Sequence, residues 1–222
     1  VTTAKGLRTR ETILDAAELL FADHGFDGVT IRDIGKQAKL LTGLITYHFP
    51  TKDILFEEVV RRRAKELNDL RRKMLKTRSD HDTRQVLLAL ARPYLDKILS
   101  GDEGWRNYAR LGAHLANDQR WADLSDHLFG DVARLLIRAL RKAEPRLTAE
   151  AATRAYVHSV AVMISVYSST YLIDRFSKGR LHSDDIEASF EPMIEFLLGG
   201  IEAYCNPDFA RKSNDIKSAK LS

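Results

Sequence analysis

The chain has 222 residues, 44% of them apolar and 8% aromatic, with 35 Lys and Arg against 31 Asp and Glu and one cysteine. That content is enough for a buried core and excludes a disordered chain, while Cys205 alone excludes an internal disulfide or a zinc site built on paired cysteines. The net charge of +4 is uneven: residues 1–80 carry 16 basic and 12 acidic side chains, residues 81–222 carry 19 of each, which points to a basic module that meets a polyanion beside a neutral module with another task.

The opening VTTAKGLRTRE lacks the apolar run of a signal peptide. The most apolar stretch, Tyr156 to Ile173, is interrupted by His158, Ser159, Ser165, Ser168, Ser169 and Thr170. A cytoplasmic protein with no membrane partner is therefore expected.

Helical periodicity dominates and no strand pattern is convincing, so the expected class is all-α. Ile13, Leu14, Ala17, Leu20 and Phe21 mark an amphipathic helix from about Leu7 to His24, stopped by Gly25. Thr30 stands as an N-cap, with Asp33 in the first turn, before a short helix to Ala38. A second short helix runs from Leu41 to His48, and after Pro50 the residue Thr51 caps a long helix reaching Met74. Further on, the spacing predicts helices over Val86–Leu99, kinked near Pro93, Trp105–Leu115 and Asp118–Ala143. Thr148 then caps a helix expected to continue to Phe176, and Ser183 caps a last one ending near Cys205 with a kink at Pro192. Residues 206–222 read as a polar tail.

Three helices in the first 50 residues, the second and third short and joined by a tight turn on a basic module, fit a helix-turn-helix over about residues 30–49. An ordinary helical hairpin would give the same pattern. The segments Thr30-Ile31-Arg32-Asp33-Ile34-Gly35-Lys36-Gln37-Ala38, Thr42-Gly43-Leu44-Ile45 and Tyr47-His48-Phe49-Pro50-Thr51-Lys52-Asp53 resemble the DNA-binding domain of the TetR family of bacterial repressors. With Ile13-Leu14-Asp15-Ala16-Ala17 and Leu20 to Phe26, the similarity covers about residues 8–62. It implies a DNA-binding domain over residues 8–55 and, over residues 56–205, a larger helical domain that binds an effector and dimerises, in a layout of about nine helices.

The resemblance also implies roles. Thr30, Arg32, Thr42, Gly43, Leu44 and Tyr47 would face double-stranded DNA, Arg32 suiting guanine and Leu44 a thymine methyl. Thr46, His48 and Lys52 would bind phosphate, with Lys36 and Lys39 nearby. Plainer roles compete: a surface ion pair for Arg32, a core position for Leu44, packing against the first helix for His48, and solvated lysines at 36 and 39. The family usually has Gly where Lys39 stands, a capping residue at Leu41 and Tyr at Thr46. Either Lys39 takes a left-handed conformation at a cost of about 1 kcal/mol, or the turn differs.

The run Arg61, Arg62, Arg63, Lys65, Arg71, Arg72, Lys73, Lys76 and Arg78 is read as a solvated face, because the helix carrying it leaves DNA at about 1.5 Å per residue. In the larger domain, the broad apolar surfaces of the last two long helices suggest a core on one side and a second copy of the chain on the other. Trp105, Tyr108, Arg110, Trp121, Phe129, His158, Met163, Tyr167 and Tyr171 are candidates to line a pocket for an apolar or aromatic effector, though such residues at helical spacing also serve as plain core. Pairs such as His114 and Asp118 read as surface ion pairs, so no metal is expected, nor any cofactor. No catalytic motif is present, which leaves an enzyme without residues to rest on. The expectation is a dimeric repressor released from a palindromic operator by a small effector. An effector-independent regulator, or a helical carrier or enzyme with an incidental basic end, stand as alternatives.

Overall fold

A computed structural model describes residues 4–76 and 82–206. Ten α-helices follow one another: α1 (Ala4–His24), α2 (Ile31–Ala38), α3 (Thr42–His48), α4 (Lys52–Lys76), α5 (Thr83–Leu99), α6 (Glu103–Ala116), α7 (Ala122–Ala143), α8 (Ala149–Tyr167), α9 (Leu172–Phe176) and α10 (Ile186–Tyr204). A single 3₁₀ turn, Gln119–Trp121, precedes α7, and the described residues contain no strand. No helix among them is long and apolar enough to cross a membrane. They fall into two compact units, residues 4–69 with 96–130 and residues 70–76 and 82–95 with 131–206. Their boundaries differ from a division near residue 55, because α6 packs on α1 within the first unit.

The first unit is organised by the face of α1 that repeats every three to four residues. Ile13, Leu14, Ala17 and Phe21 are fully buried there, and α2 to α4 supply Ile34, Ile45, Leu55, Phe56 and Val59 to the same interior. One carboxylate lies in that apolar face: Glu18, only 1% exposed. It accepts from Arg62 Nη2 at 2.5 Å and from Arg63 Nε and Nη2 at 3.2 and 3.1 Å. Arg62 also reaches Asp15 at 2.7 Å, and Arg63 reaches Asp102, the N-cap of α6, at 2.7 Å. The Arg63 guanidinium holds the Asp102 carboxyl below the usual carboxylate range and lies 4.8 Å over the Trp105 ring. Gly104 makes room for this crossing, since a Cβ there would stand 1.8 Å from Arg63 Nη2.

The second unit has its own interior, with Val86, Leu87 and Leu90 of α5, Leu136 and Leu140 of α7, Met163 and Tyr167 of α8, and Phe190, Ile194 and Leu197 of α10. Pro93 has no N–H to give back to the preceding turn of α5. Two carbonyls of that turn take side-chain donors: Arg71 Nε donates to Leu90 O at 2.9 Å, and the Tyr167 hydroxyl donates to Ala91 O at 3.0 Å. α8 and α10 pack against each other.

Three expectations need correction. The helix from Thr148 stops at Tyr167 instead of reaching Phe176, because Ser169 and Tyr171 turn left-handed, at φ 51° and 58°, before the short α9. The cap of α10 is Asp185, which accepts from Ala188 N; the buried Ser183 instead donates its N–H to Asp174. The cation run is not one solvated face: Arg62 and Arg63 hold Glu18, Arg61 pairs with Glu57 and Glu58, and Arg71 is 5% exposed. Lys65, Lys73 and Lys76 are exposed as expected, and Arg78 lies outside the described residues.

Removing one member of a buried charge network leaves its partners uncompensated. Glu18→Gln, of equal size, is expected to lower unfolding stability by about 3 kcal/mol, measured by urea denaturation; a loss below about 0.5 kcal/mol would show the two arginines to be satisfied without it.

Candidate nucleic-acid interface

α2 is fixed at both ends by local chemistry. At its start Asp33 N donates to Thr30 Oγ1 at 3.2 Å while Thr30 N donates to Asp33 Oδ2 at 3.1 Å, a reciprocal capping box. The Thr30 hydroxyl, by its hydrogen bond, holds the Asp33 carboxyl below its ordinary value. At its end Lys39 adopts φ 55° and ψ 41°, and Leu40 N donates to Gly35 O at 2.9 Å, which satisfies a carbonyl the helix would otherwise leave open. So the turn keeps the left-handed geometry without the usual glycine. Gly35 stands where α2 and α3 approach: a Cβ would lie 3.0 Å from Leu40 O and 3.5 Å from Ile45 Cδ1.

α3 is held by Ile45 and by Phe49 just after it, both buried. Arg10 of α1 lies 5.1 Å over the Phe49 ring and pairs with Glu58 of α4. The rest of α3 faces outward. Thr42, Gly43, Leu44, Thr46 and Tyr47 are exposed, and so are Thr30, Arg32, Lys36 and Lys39 beside them. These nine exposed residues all belong to the helix-turn-helix segment. Leu44 is 38% exposed and is not core. Leu41, 83% exposed, belongs to the same segment; sequence reasoning passes over it because its position suggests only a missing cap, and it indeed makes no capping hydrogen bond.

Other expected contacts are engaged elsewhere. Lys52 points inward: its Nζ donates to Phe26 O and Val29 O, each at 3.0 Å, and sits 4.1 Å over the Phe26 ring. That arrangement ties the start of α4 to the α1–α2 loop. Thr46 Oγ1 donates back to Thr42 O and Gly43 O, at 3.3 and 3.1 Å. His48 is half-buried between the rings of Tyr47 and Phe49. Lys36 is 3.8 Å from Asp33.

The α1–α2 loop is braced from a second side. Arg120 bridges Asp27 and Asp118, each at 2.6 Å, and by hydrogen bonding lowers the pKa of both carboxyls. Phe26 and Phe56 pack on Trp121 at 5.0 and 4.4 Å, beside an open cleft of about 480 Å³ lined also by His24 and His114.

The nine residues considered for an effector pocket are divided between the units. Trp105 and Tyr108 are buried in the first unit in edge-to-face contact, Arg110 is exposed and pairs with Asp23 at 2.9 Å, Trp121 serves the Phe26–Phe56 cluster, and Phe129 is half-buried. Met163 and Tyr167 are buried in the second unit, with Tyr94 edge-on to Tyr167 at 5.3 Å. His158 is exposed and accepts from or donates to the Tyr204 hydroxyl at 2.9 Å, and Tyr171 is exposed in the turn before α9. Elsewhere in the second unit, Glu144, Glu202 and Cys205 bring potential metal ligands within 4.8 Å of one another. Arg146 already lies between the two carboxylates, 2.7 Å from Glu144 and 2.9 Å from Glu202.

Residues 13–59 match the family described as bacterial regulatory proteins, tetR family, and residues 88–200 match the tetracyclin repressor-like C-terminal domain. The HTH-type transcriptional repressor KstR2 of Rhodococcus jostii is 30% identical over 117 residues, 53% of this chain and 56% of that protein. The chain thus spans about half the length of this curated relative. Among solved structures, the fatty acid degradation regulator FadR from Bacillus halodurans superposes with a TM-score of 0.61 at 17% identity, covering 85% of this chain and 94% of that one. FadR from Bacillus subtilis, in complex with stearoyl-CoA, gives 0.60 at 14% identity over 86% and 98%. At such identities the likeness is one of fold.

The left-handed Lys39 has a measurable consequence. Lys39→Gly is expected to stabilise the protein by up to about 1 kcal/mol in urea unfolding, with the turn unchanged; a destabilised variant would mean that the lysine side chain itself holds the turn.

Proposed function

Because the chain belongs to the TetR family of bacterial regulatory proteins, we propose that it is a transcriptional repressor, a homodimer that binds a palindromic operator in double-stranded DNA and is released by a small, mostly apolar effector. The observation that carries this reading is the set of exposed side chains on α2 and α3, Arg32, Leu44 and Tyr47 with Lys36 and Lys39, on a turn braced by the capping box and the left-handed Lys39. A seven-residue α3 suits a major groove. Arg32 offers a bidentate donor to a guanine, and the lysines and backbone N–H groups serve phosphates.

Two-fold symmetry follows from the need to read two half-sites about 34 Å apart. α8 and α10 supply a face for it: Val157 and Phe196 are 54% and 70% exposed on these two packed helices, and Gly199 and Gly200 have open space where a Cβ would lie. In this reading the effector is taken up by the second unit, whose interior around Met163, Tyr167 and Tyr94 is apolar and aromatic. That the similarly folded FadR from Bacillus subtilis is seen with stearoyl-CoA supports an apolar or acyl-linked ligand class. Binding there acts by favouring a dimer geometry in which the two recognition helices no longer fit successive major grooves, with a coupling of about 1–3 kcal/mol. In this reading the chain has no catalytic step to perform.

The test is a gel-shift against the DNA flanking its own gene at two salt concentrations. Specific binding that weakens with salt is expected, and Arg32→Ala or Tyr47→Ala should each reduce affinity by about tenfold; binding without sequence preference would overturn the reading. In sedimentation velocity the protein is expected as a dimer and Phe196→Asp as a monomer; a variant that stays dimeric would place the subunit contact elsewhere.

A further inference from the structure

α3 offers few polar side chains to a base edge. Thr42–His48 reads Thr-Gly-Leu-Ile-Thr-Tyr-His and contains no Arg, Lys, Asn, Gln, Asp or Glu. It therefore has no bidentate donor for guanine, no amide for adenine and no carboxylate for the cytosine amino group. The two threonine hydroxyls add little. Thr46 spends its proton on helix carbonyls at 3.3 and 3.1 Å, and Thr42 Oγ1 lies only 3.7 Å from the position of a Cβ on Gly35, turned toward α2. His48 is half-buried between two rings.

What α3 does present is apolar. Leu41, Leu44 and Tyr47 are 83%, 38% and 79% exposed and recur every third residue. At 1.5 Å per residue they span about 9 Å, the length of two to three base steps of 3.4 Å. In the major groove only one base edge carries an apolar group, the C5-methyl of thymine, next to its O4 acceptor. A leucine pair can cover such methyls, and the Tyr47 hydroxyl can donate to an O4 or to a phosphate.

We infer that Leu41 and Leu44 read the centre of each half-site through thymine methyl groups, and that Arg32 on α2 supplies the bidentate polar base contact, to a guanine beside them. This rests on the repressor reading and adds to it the chemical class of base that the site selects. It also separates two functions within a surface of nine or ten residues: hydrophobic contact for sequence, and Lys36 and Lys39 for attachment.

The experiment is a selection from a random duplex library with the full-length protein, followed by replacement of each selected thymine by deoxyuridine, which deletes the methyl and keeps the base pair. Expected is a half-site with at least two thymines, each of which loses about fourfold in affinity as uracil, the worth of one buried methyl group. In Leu44→Ala, and separately in the still more exposed Leu41→Ala, the uracil penalty at one position should fall below twofold while salt dependence is unchanged. A selected site without thymine, or one whose affinity is indifferent to every uracil, overturns the inference and leaves the repressor reading intact. A library that yields no enriched sequence overturns both. The uracil series uses the unaltered protein, so it decides the question even if a leucine variant fails to fold.

Discussion

A carboxylate inside an apolar helix face is tolerable only when cations meet it there, and Glu18 of α1 meets two. Such a group contributes little net stability compared with an apolar side chain of similar size, but it accepts few alternative registers. α4 can slide along α1 by one turn only by stranding Arg62 and Arg63, and Arg63 is further committed to Asp102 and to the Trp105 ring. The same carboxylate therefore sets the mutual position of α1, α4 and α6. α2 and α3 attach to those helices through the buried Ile34, Ile45 and Phe49, which are directionless contacts, and Arg10, over the Phe49 ring and paired with Glu58, adds a directional one.

Onto this frame the turn adds local rigidity. A capping box at Thr30 and Asp33, a left-handed Lys39 and the close approach at Gly35 leave α2 and α3 one relative orientation. Lys52 and Arg120 then fasten the α1–α2 loop from two directions. The arrangement matters because a recognition helix reads bases only if its exposed side chains arrive together; a surface that presents Leu41, Leu44 and Tyr47 on a loose turn would offer apolar area without selectivity.

The first four helices were legible in the sequence because their apolar residues follow one period and their ends carry caps: Thr30, Gly25 and Pro50 each act through local geometry. The cation run was not, since Arg62 and Arg63 have partners 44 and 45 residues earlier in the chain. A sign of it was present, however. Glu18 interrupts the apolar face between Leu14 and Phe21, and a charge at a core position asks for a counter-charge somewhere. The break after Tyr167 was hidden for another reason: Ser169 and Tyr171 turn left-handed without any glycine to announce it. Trp105 and Tyr108 show the limit of composition, because an aromatic at helical spacing looks the same whether it lines a pocket or fills a core. The exposed set on α2 and α3 was largely readable, and Lys52 was not, since nothing local indicates that backbone carbonyls 23 and 26 residues away will take its ammonium.

The uneven charge of the chain now has a finer meaning. Six of the 16 cations in the first 80 residues are engaged within the protein: Arg10, Lys52, Arg61, Arg62, Arg63 and Arg71 are bound to carboxylates, carbonyls or rings. At the helix-turn-helix the exposed cations are Arg32, Lys36 and Lys39. Counterion release scales with the phosphates actually neutralised and not with net charge, so in the proposed complex the six engaged cations would add little to the sequence-blind attraction. Affinity in that complex would draw also on the groove contacts themselves. With α3 stripped of polar readers, those contacts are mainly the burial of apolar surface, which salt barely affects. In the proposed complex, then, attachment to phosphate would fall to the cations that stay exposed, Lys36 and Lys39 among them, and discrimination among sequences to the apolar residues of α3 beside Arg32.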